Sequence, residues 1–172
     1  MASVTSIYYR DASVVGNHLG GSLDPHACFL LHRGVKTLAV RVKYQNESTL
    51  KIALFLEKHP EVKKVNYPGL ESHPRYQRAC ELFDGFSGML SFELKGGVKA
   101  AERFIQNTTI PFVAPSLGGV ESLITRPVTT SHSGMSPEDR KKLGISESLI
   151  RVSVGIEATE DIIEDFDQAL KA

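Results

Sequence analysis

Apolar residues recur at helical spacing over the first third of the chain. The series follows Ser22-Leu-Asp-Pro, a polar cap and an early proline that are typical of a helix start. Pro60 ends it, because proline fixes φ and lacks a backbone donor. The pattern predicts one long helix over residues 22–59, with a bend near Gly34. Its apolar positions are Leu23, Ala27, Leu30, Leu31, Val35, Leu38, Val42, Leu50, Ala53, Leu54 and Leu56.

A different periodicity appears further along, where residues 87–95 alternate strictly. Leu90, Phe92 and Leu94 occupy one set of positions, and polar or flexible side chains occupy the other. Alternation with period 2 is typical of a half-buried strand. Further strands are predicted over residues 62–67, 112–116, 121–125 and 150–156, and further helices over 73–83, from Val98 to Ile105, from Ser136 to Gly144, and from Thr159 onwards.

These elements predict an α+β fold. We expect an antiparallel or mixed sheet of about four to five strands with helices on one face, preceded by the long helix. Residues 1–21 lack helical periodicity and contain Gly16, Gly20 and Gly21, which favours an extended N-terminal arm. With 172 residues and 41% hydrophobic content, residues 22–172 are expected to form a single domain.

Charge and cysteine content narrow the possible partners and compartments. Lys and Arg total 20 and Asp and Glu total 20, so no excess charge favours nucleic acid or an anionic membrane. Cys28 and Cys80 form no disulfide or metal-binding pattern and suit a reducing compartment. No apolar run approaches the roughly 20 residues that span a bilayer. We expect a cytoplasmic protein, with a plastid as the alternative.

Arg151 is the candidate binding residue. It lies at the start of a β-branched strand, and a guanidinium donates two parallel hydrogen bonds to a carboxylate. A strand arginine more often pairs with a surface acid, and Glu157 is the available structural partner. Ser116, before Gly118 and Gly119, forms a pattern that by itself indicates a plain turn.

Four segments change this interpretation. They are Leu31-His-Arg-Gly-Val-Lys-Thr-Leu38, Tyr67-Pro-Gly-Leu-Glu-Ser-His-Pro74, Ser116-Leu-Gly-Gly-Val-Glu-Ser-Leu123 and Leu149-Ile-Arg-Val-Ser-Val-Gly-Ile-Glu157. Between about Asn17 and Ala169 the chain resembles the C-terminal domain of the cystathionine γ-synthase and γ-lyase family, fold-type I enzymes that depend on pyridoxal phosphate. Many of its lyases and some of its synthases have an acidic residue where this chain has Pro115, and the sequence around Pro115 resembles the plant synthases, which leaves the choice between synthase and lyase open.

The resemblance assigns roles to the candidates. It implies that Arg151 binds the substrate carboxylate, that Ser116 lies beside this carboxylate, and that Gly118 and Gly119 allow close approach. It also implies a lysine that binds the cofactor covalently, within a Ser-x-Thr-Lys segment, which this sequence lacks. No catalytic, cofactor-binding or metal-binding residue is therefore predicted here.

Two functions follow as expectations. The first is a truncated family member, natural or engineered, that is inactive alone and acts by self-association as a homo-oligomer or by binding another protein. The alternative is a trans-sulfuration enzyme that a separate cofactor-bearing chain completes.

Two other groups of residues are assigned structural roles. Asp24, Cys28 and His32 recur at four-residue steps and share a helical face that could hold a metal, but chance often produces this spacing, and the family that the chain resembles uses no metal there. His132 is predicted to lie in a turn and to cap the helix that follows.

Overall fold

The computed structural model describes residues 23–172, so the predicted arm over residues 1–21 lies outside this part. The chain divides into two compact units between Ala39 and Val40. In the first unit, helix α1 spans Pro25–Val35 and has no buried residue. Asp24 caps it, since one carboxylate oxygen accepts from the backbone N–H groups of His26 and Ala27 at 2.9 and 3.1 Å.

Helix α2 spans Leu38–Lys58. The helical stretch predicted over residues 22–59 is therefore interrupted at Lys36 and Thr37, shortly after Gly34, where the bend was expected. The remaining elements are β1 (Val62–Asn66), α3 (Tyr76–Leu82), β2 (Met89–Leu94), α4 (Gly97–Asn107), β3 (Phe112–Val113), β4 (Leu123–Thr125), a 3-10 turn (Pro127–Thr129), α5 (Pro137–Lys142), β5 (Ile150–Ser153) and α6 (Thr159–Lys171).

The five strands form one mixed sheet in the order β1-β2-β5-β4-β3. All neighbouring pairs are antiparallel except β3 and β4, which are parallel. The predicted α+β fold with a mixed sheet is confirmed. No helix within residues 23–172 combines the length and apolarity that crossing a bilayer requires.

One face of the sheet is apolar and packs against side chains from helices α2, α4 and α6. Because neighbours in register point to the same face, Leu90, Val152 and Ile124 line up across β2, β5 and β4. The strict alternation predicted for β2 is confirmed, since its even-numbered residues are buried and its odd-numbered residues are partly exposed. The largest fully buried side chains of this core are Tyr67, Phe92, Phe104, Phe166, Ile52, Leu56 and Leu70.

The opposite face carries a polar row. Asn66, Ser91, Arg151 and Thr125 lie in register across β1, β2, β5 and β4. The amide of Asn66 donates to the hydroxyl of Ser91 at 3.3 Å. Arg151 therefore lies near the centre of this face, at a position that the backbone of two neighbouring strands fixes.

The parallel pairing of β3 and β4 gives this face its covering loop. Residues 114–122, the return loop, must carry the chain back along the sheet so that β4 starts in the same direction as β3. A parallel connection usually takes about a dozen residues or more, so this return is short. It stays close to the sheet and crosses the polar face beside β5.

The return loop also explains why β3 is shorter than predicted. The pattern indicated a strand over residues 112–116, but the strand contains only Phe112 and Val113. Pro115 lacks a donor for a ladder bond, and its carbonyl is bound by Arg151.

Two other predicted elements are also shorter in the structure. The strand predicted over 150–156 ends at Ser153. The helix predicted over 73–83 begins at Tyr76, after a turn closed by His73.

Candidate functional site

Arg151 holds the start of the return loop. Its Nη2 donates to the carbonyl oxygen of Pro115 at 2.8 Å and to that of Ser116 at 3.2 Å. The side chain is half-buried. Within residues 23–172 its Nε and Nη1 bind no protein group, so each can donate a single hydrogen bond to a ligand carboxylate. The two nitrogens lie on opposite sides of the guanidinium, and Nη2, which either would need to form a two-bond fork, is bound to the loop.

The predicted site residues Ser116, Gly118 and Gly119 lie in this loop, and the structure brings Ser116 to Arg151. The contact uses the carbonyl of Ser116, whereas its exposed hydroxyl has no partner in the described part of the chain. Gly118 has a φ of +77°, a conformation that favours glycine. Its N–H donates to the hydroxyl of buried Ser153 at 3.0 Å, which holds the turn against β5.

Two further residues hold the loop, and the sequence interpretation missed both. Gln45 of α2 donates from its side-chain amide to the carbonyl of Gly119 at 2.7 Å. Ser153 lies two residues after Arg151, and this spacing on a strand could have placed the two side chains on one face. The signal for Gln45 was a polar residue within the apolar helical series of α2, at a position that proves to be buried.

The predicted pairing of Glu157 with Arg151 is wrong. Glu157 lies beyond the end of β5, within a bend at Ile156 and Glu157, and its carboxylate accepts from Ser122 instead. The backbone N–H and the hydroxyl of Ser122 donate to the two carboxylate oxygens at 2.6 and 2.8 Å. Glu157 therefore holds the far end of the return loop.

His132 lies in a turn, as predicted, but it does not cap the following helix. Ser136 is the cap of α5, because its hydroxyl accepts from the N–H of Asp139 at 3.2 Å. His132 forms a side-chain hydrogen bond with its neighbour Ser131 at 2.8 Å. Asp24 likewise serves as a helix cap, and no group of three or more His, Cys, Asp or Glu side chains within residues 23–172 is arranged to hold a metal.

Fold and site together define a class of protein. The chain matches a crystal structure from Campylobacter jejuni, assigned as an O-acetylhomoserine (thiol)-lyase, with a TM-score of 0.86 and 41% identity. The match covers 90% of this chain and 37% of that protein, which contains N'-pyridoxyl-lysine-5'-monophosphate. The domain therefore has the fold of one part of a fold-type I lyase that depends on pyridoxal phosphate.

The chain belongs to the Cys/Met metabolism PLP-dependent enzyme family, whose model matches residues 3–171. It is 44% identical over 154 residues to chloroplastic cystathionine gamma-synthase 1 of Arabidopsis thaliana and 46% identical over 156 residues to cystathionine gamma-lyase of Bos taurus. These matches cover 90% and 91% of this chain. The chain spans 27% of the length of the synthase and 38% of the lyase.

The lysines of the chain do not fit the covalent attachment of the cofactor. A lysine that reacts with a carbonyl at neutral pH usually lies in a desolvated pocket or beside another cation, which favours its neutral amine. All eleven lysines here are exposed to solvent: Lys36, Lys43, Lys51, Lys58, Lys63, Lys64, Lys95, Lys99, Lys141, Lys142 and Lys171.

Proposed function

We propose that this chain is the substrate-carboxylate domain of a cystathionine synthase-like or lyase-like protein and that it has no catalytic activity of its own. The arrangement of Arg151 carries the proposal. Two backbone carbonyls hold its Nη2, while Nε and Nη1 stay available beside the exposed Ser116. An amino-acid carboxylate can accept a hydrogen bond from Nε or from Nη1 without any change in the strand that carries Arg151.

Two modes of action remain, and they differ in what completes the protein. In the first, the chain associates with copies of itself or with another protein and performs no chemistry. In the second, a separate chain supplies the cofactor lysine, and Arg151 and Ser116 bind the carboxylate of the shared substrate. The exposure of all the lysines supports an inactive isolated chain in both cases.

Carboxylate binding by the isolated chain tests the proposed function. Because an exposed ion pair contributes roughly 0–1 kcal/mol, we expect L-alanine to bind only weakly. NMR titration should shift the Arg151 Nε resonance and the Ser116 and Gly118 amides. Alanine methyl ester, which lacks the carboxylate, should cause no such shift, and neither ligand should shift them in Arg151→Ala. Equal shifts with acid and ester would contradict the proposal.

Incubation with pyridoxal phosphate should label no single lysine stoichiometrically. Exposed amines are mostly protonated at neutral pH, so each reacts weakly and reversibly with an aldehyde. Borohydride trapping followed by mass spectrometry should find low labelling spread over several lysines. One adduct per chain at one lysine would show that the chain forms a cofactor site by itself.

The isolated chain is also expected to self-associate. Helix α1 has no buried residue, and exposed apolar patches of more than a few hundred Å2 usually mark association surfaces. A symmetric dimer is the simplest product. Light scattering at high micromolar concentration should detect it, and a double change of Leu30 and Leu31 to Gln should weaken it while His32→Gln does not. A monomer at all concentrations would be the contrary result. The exposed apolar residues concerned are Leu23, Phe29, Leu30, Leu31 and Val35.

A further inference from the structure

We infer that Glu157 is a positioning residue for the Arg151 site. It acts through the return loop and sets the affinity of the site for a carboxylate, so the inference rests on the proposed function. Glu157 touches neither Arg151 nor Ser116. Its side-chain hydrogen bonds are to Ser122, at the opposite end of the loop.

Both carboxylate oxygens of Glu157 bind the same residue, Ser122. One carboxylate oxygen accepts from the N–H of Ser122 at 2.6 Å, and the other accepts from its hydroxyl at 2.8 Å. Ser122 is fully buried, and its hydroxyl oxygen accepts in turn from the N–H of Gly155 at 2.8 Å. Removing the carboxylate would leave two buried donors without partners, and such groups are costly to bury.

Close packing around this contact leaves the loop little freedom. A Cβ at Gly155 would overlap the carbonyl oxygen of Val120 and the Glu157 carboxylate, so only glycine allows the two segments to approach this closely. The N–H of Ile156 donates to the same Val120 carbonyl at 2.8 Å. On the other side, the hydroxyl of Tyr44 donates to the backbone carbonyl of Glu157 at 3.0 Å. Neighbouring residues therefore fix the position of Glu157, and its side chain in turn holds the loop.

Glu157 and Arg151 thus hold the two ends of one short loop. Arg151 binds the carbonyls of Pro115 and Ser116, and Glu157 binds Ser122. Gln45 and Ser153 each contribute one bond between these ends. Without the Glu157 carboxylate, backbone bonds from Phe112 to Ser122 and from Ile156 to Val120 still hold this end, but two of its hydrogen bonds are lost. The loop can then sample positions in which Ser116 no longer lies against the guanidinium. A ligand would then have to order the loop on binding, which lowers affinity.

The test compares Glu157→Gln and Glu157→Ala with two controls. Gln keeps an acceptor for the Ser122 N–H, whereas Ala keeps none. Glu160→Gln removes a nearby exposed charge without touching the loop. Val62→Ala truncates a buried side chain on the edge strand β1 and controls for general loss of stability. Each variant is titrated with L-alanine and with its methyl ester, while NMR follows Arg151 Nε and the Gly118 and Gly119 amides.

We expect Glu157→Ala to bind L-alanine about fivefold more weakly than the unmodified chain, with Glu157→Gln between the two. The amides of Gly118 and Gly119 should shift and exchange faster with solvent in both variants before any ligand is added. Both controls should bind as the unmodified chain does. Equal weakening in Val62→Ala, or unchanged amides in both Glu157 variants, would overturn the inference.

These outcomes are separable from failure of the proposed function. If the unmodified chain fails to bind alanine through Arg151, the proposed function is wrong, and a role for Glu157 in affinity is wrong with it. The amide exchange data would still report whether Glu157 orders the loop. If the unmodified chain binds and only the Glu157 comparison fails, the proposed function stands without this inference.

Discussion

Replacing Phe166 with alanine is expected to lower the free energy of unfolding by about 3–5 kcal/mol. Phe166 is fully buried on the inner face of α6. Its ring meets that of Phe104 edge to face with centroids 5.3 Å apart, and Phe104 meets Phe92 of β2 in the same way at 5.5 Å. The substitution therefore opens a cavity at the end of an aromatic series that joins helices α4 and α6 to the sheet. Domains of this size have a total stability of about 5–15 kcal/mol, so the loss is a large fraction of it.

Urea unfolding followed by circular dichroism measures this effect, with the slope of the transition checked for two-state behaviour. Phe112→Ala is the matched control. Phe112 is 66% exposed, and its truncation should change the free energy of unfolding by less than about 0.5 kcal/mol. Similar losses for the two phenylalanines would mean that the aromatic series does not stabilise the fold as described.

The second large effect concerns Arg151 in the composite alternative. If the chain is mixed with a separate chain that carries the cofactor domain of the family and turnover is detected, Arg151→Ala should reduce kcat/KM by more than about tenfold. The reason is that truncating one partner of a desolvated, hydrogen-bonded charge pair costs on the order of 2–5 kcal/mol. Arg151→Lys keeps the positive charge but lacks the planar guanidinium, so its kcat/KM should lie between those of the unmodified chain and Arg151→Ala.

Cystathionine formation and cystathionine cleavage are both measured in this mixture, because the chain is similar to synthases and to lyases alike. Arg78→Ala serves as the control because Arg78 is exposed and pairs with Glu81 on the surface of α3. We expect the mixture to show no turnover, because the two parts of these enzymes normally fold as one chain. Robust turnover that depends on Arg151 would establish the composite enzyme and contradict the inactive reading.

The sequence predicted local structure well where one pattern decides it. The alternation of Leu90, Phe92 and Leu94 fixes both the strand and its buried face, because the side-chain period of a strand is two. The amphipathic pattern of α6 similarly predicts the burial of Phe166. In each case the interactions that choose the structure lie within a few residues of one another.

Strand order and loop contacts depend instead on residues far apart in the chain. The parallel return of β4 beside β3 has no local signature, and without it the loop contacts of Gln45 cannot be predicted. The prediction that Glu157 pairs with Arg151 assumed that the strand continues to residue 156. The strand ends at Ser153, and the chain bends at Ile156 and Glu157, where the carboxylate meets Ser122. Arg151 and Ser116 were brought together by a resemblance between motifs, whereas the spacing between them carries no such information.

The return loop is also the connection that the pairing of β3 with β4 requires. Arg151 and Glu157 bind the two ends of the segment that lets β4 run alongside β3, so both residues have partners within the fold itself. A folded domain therefore has a structural use for both residues whether or not it binds a carboxylate.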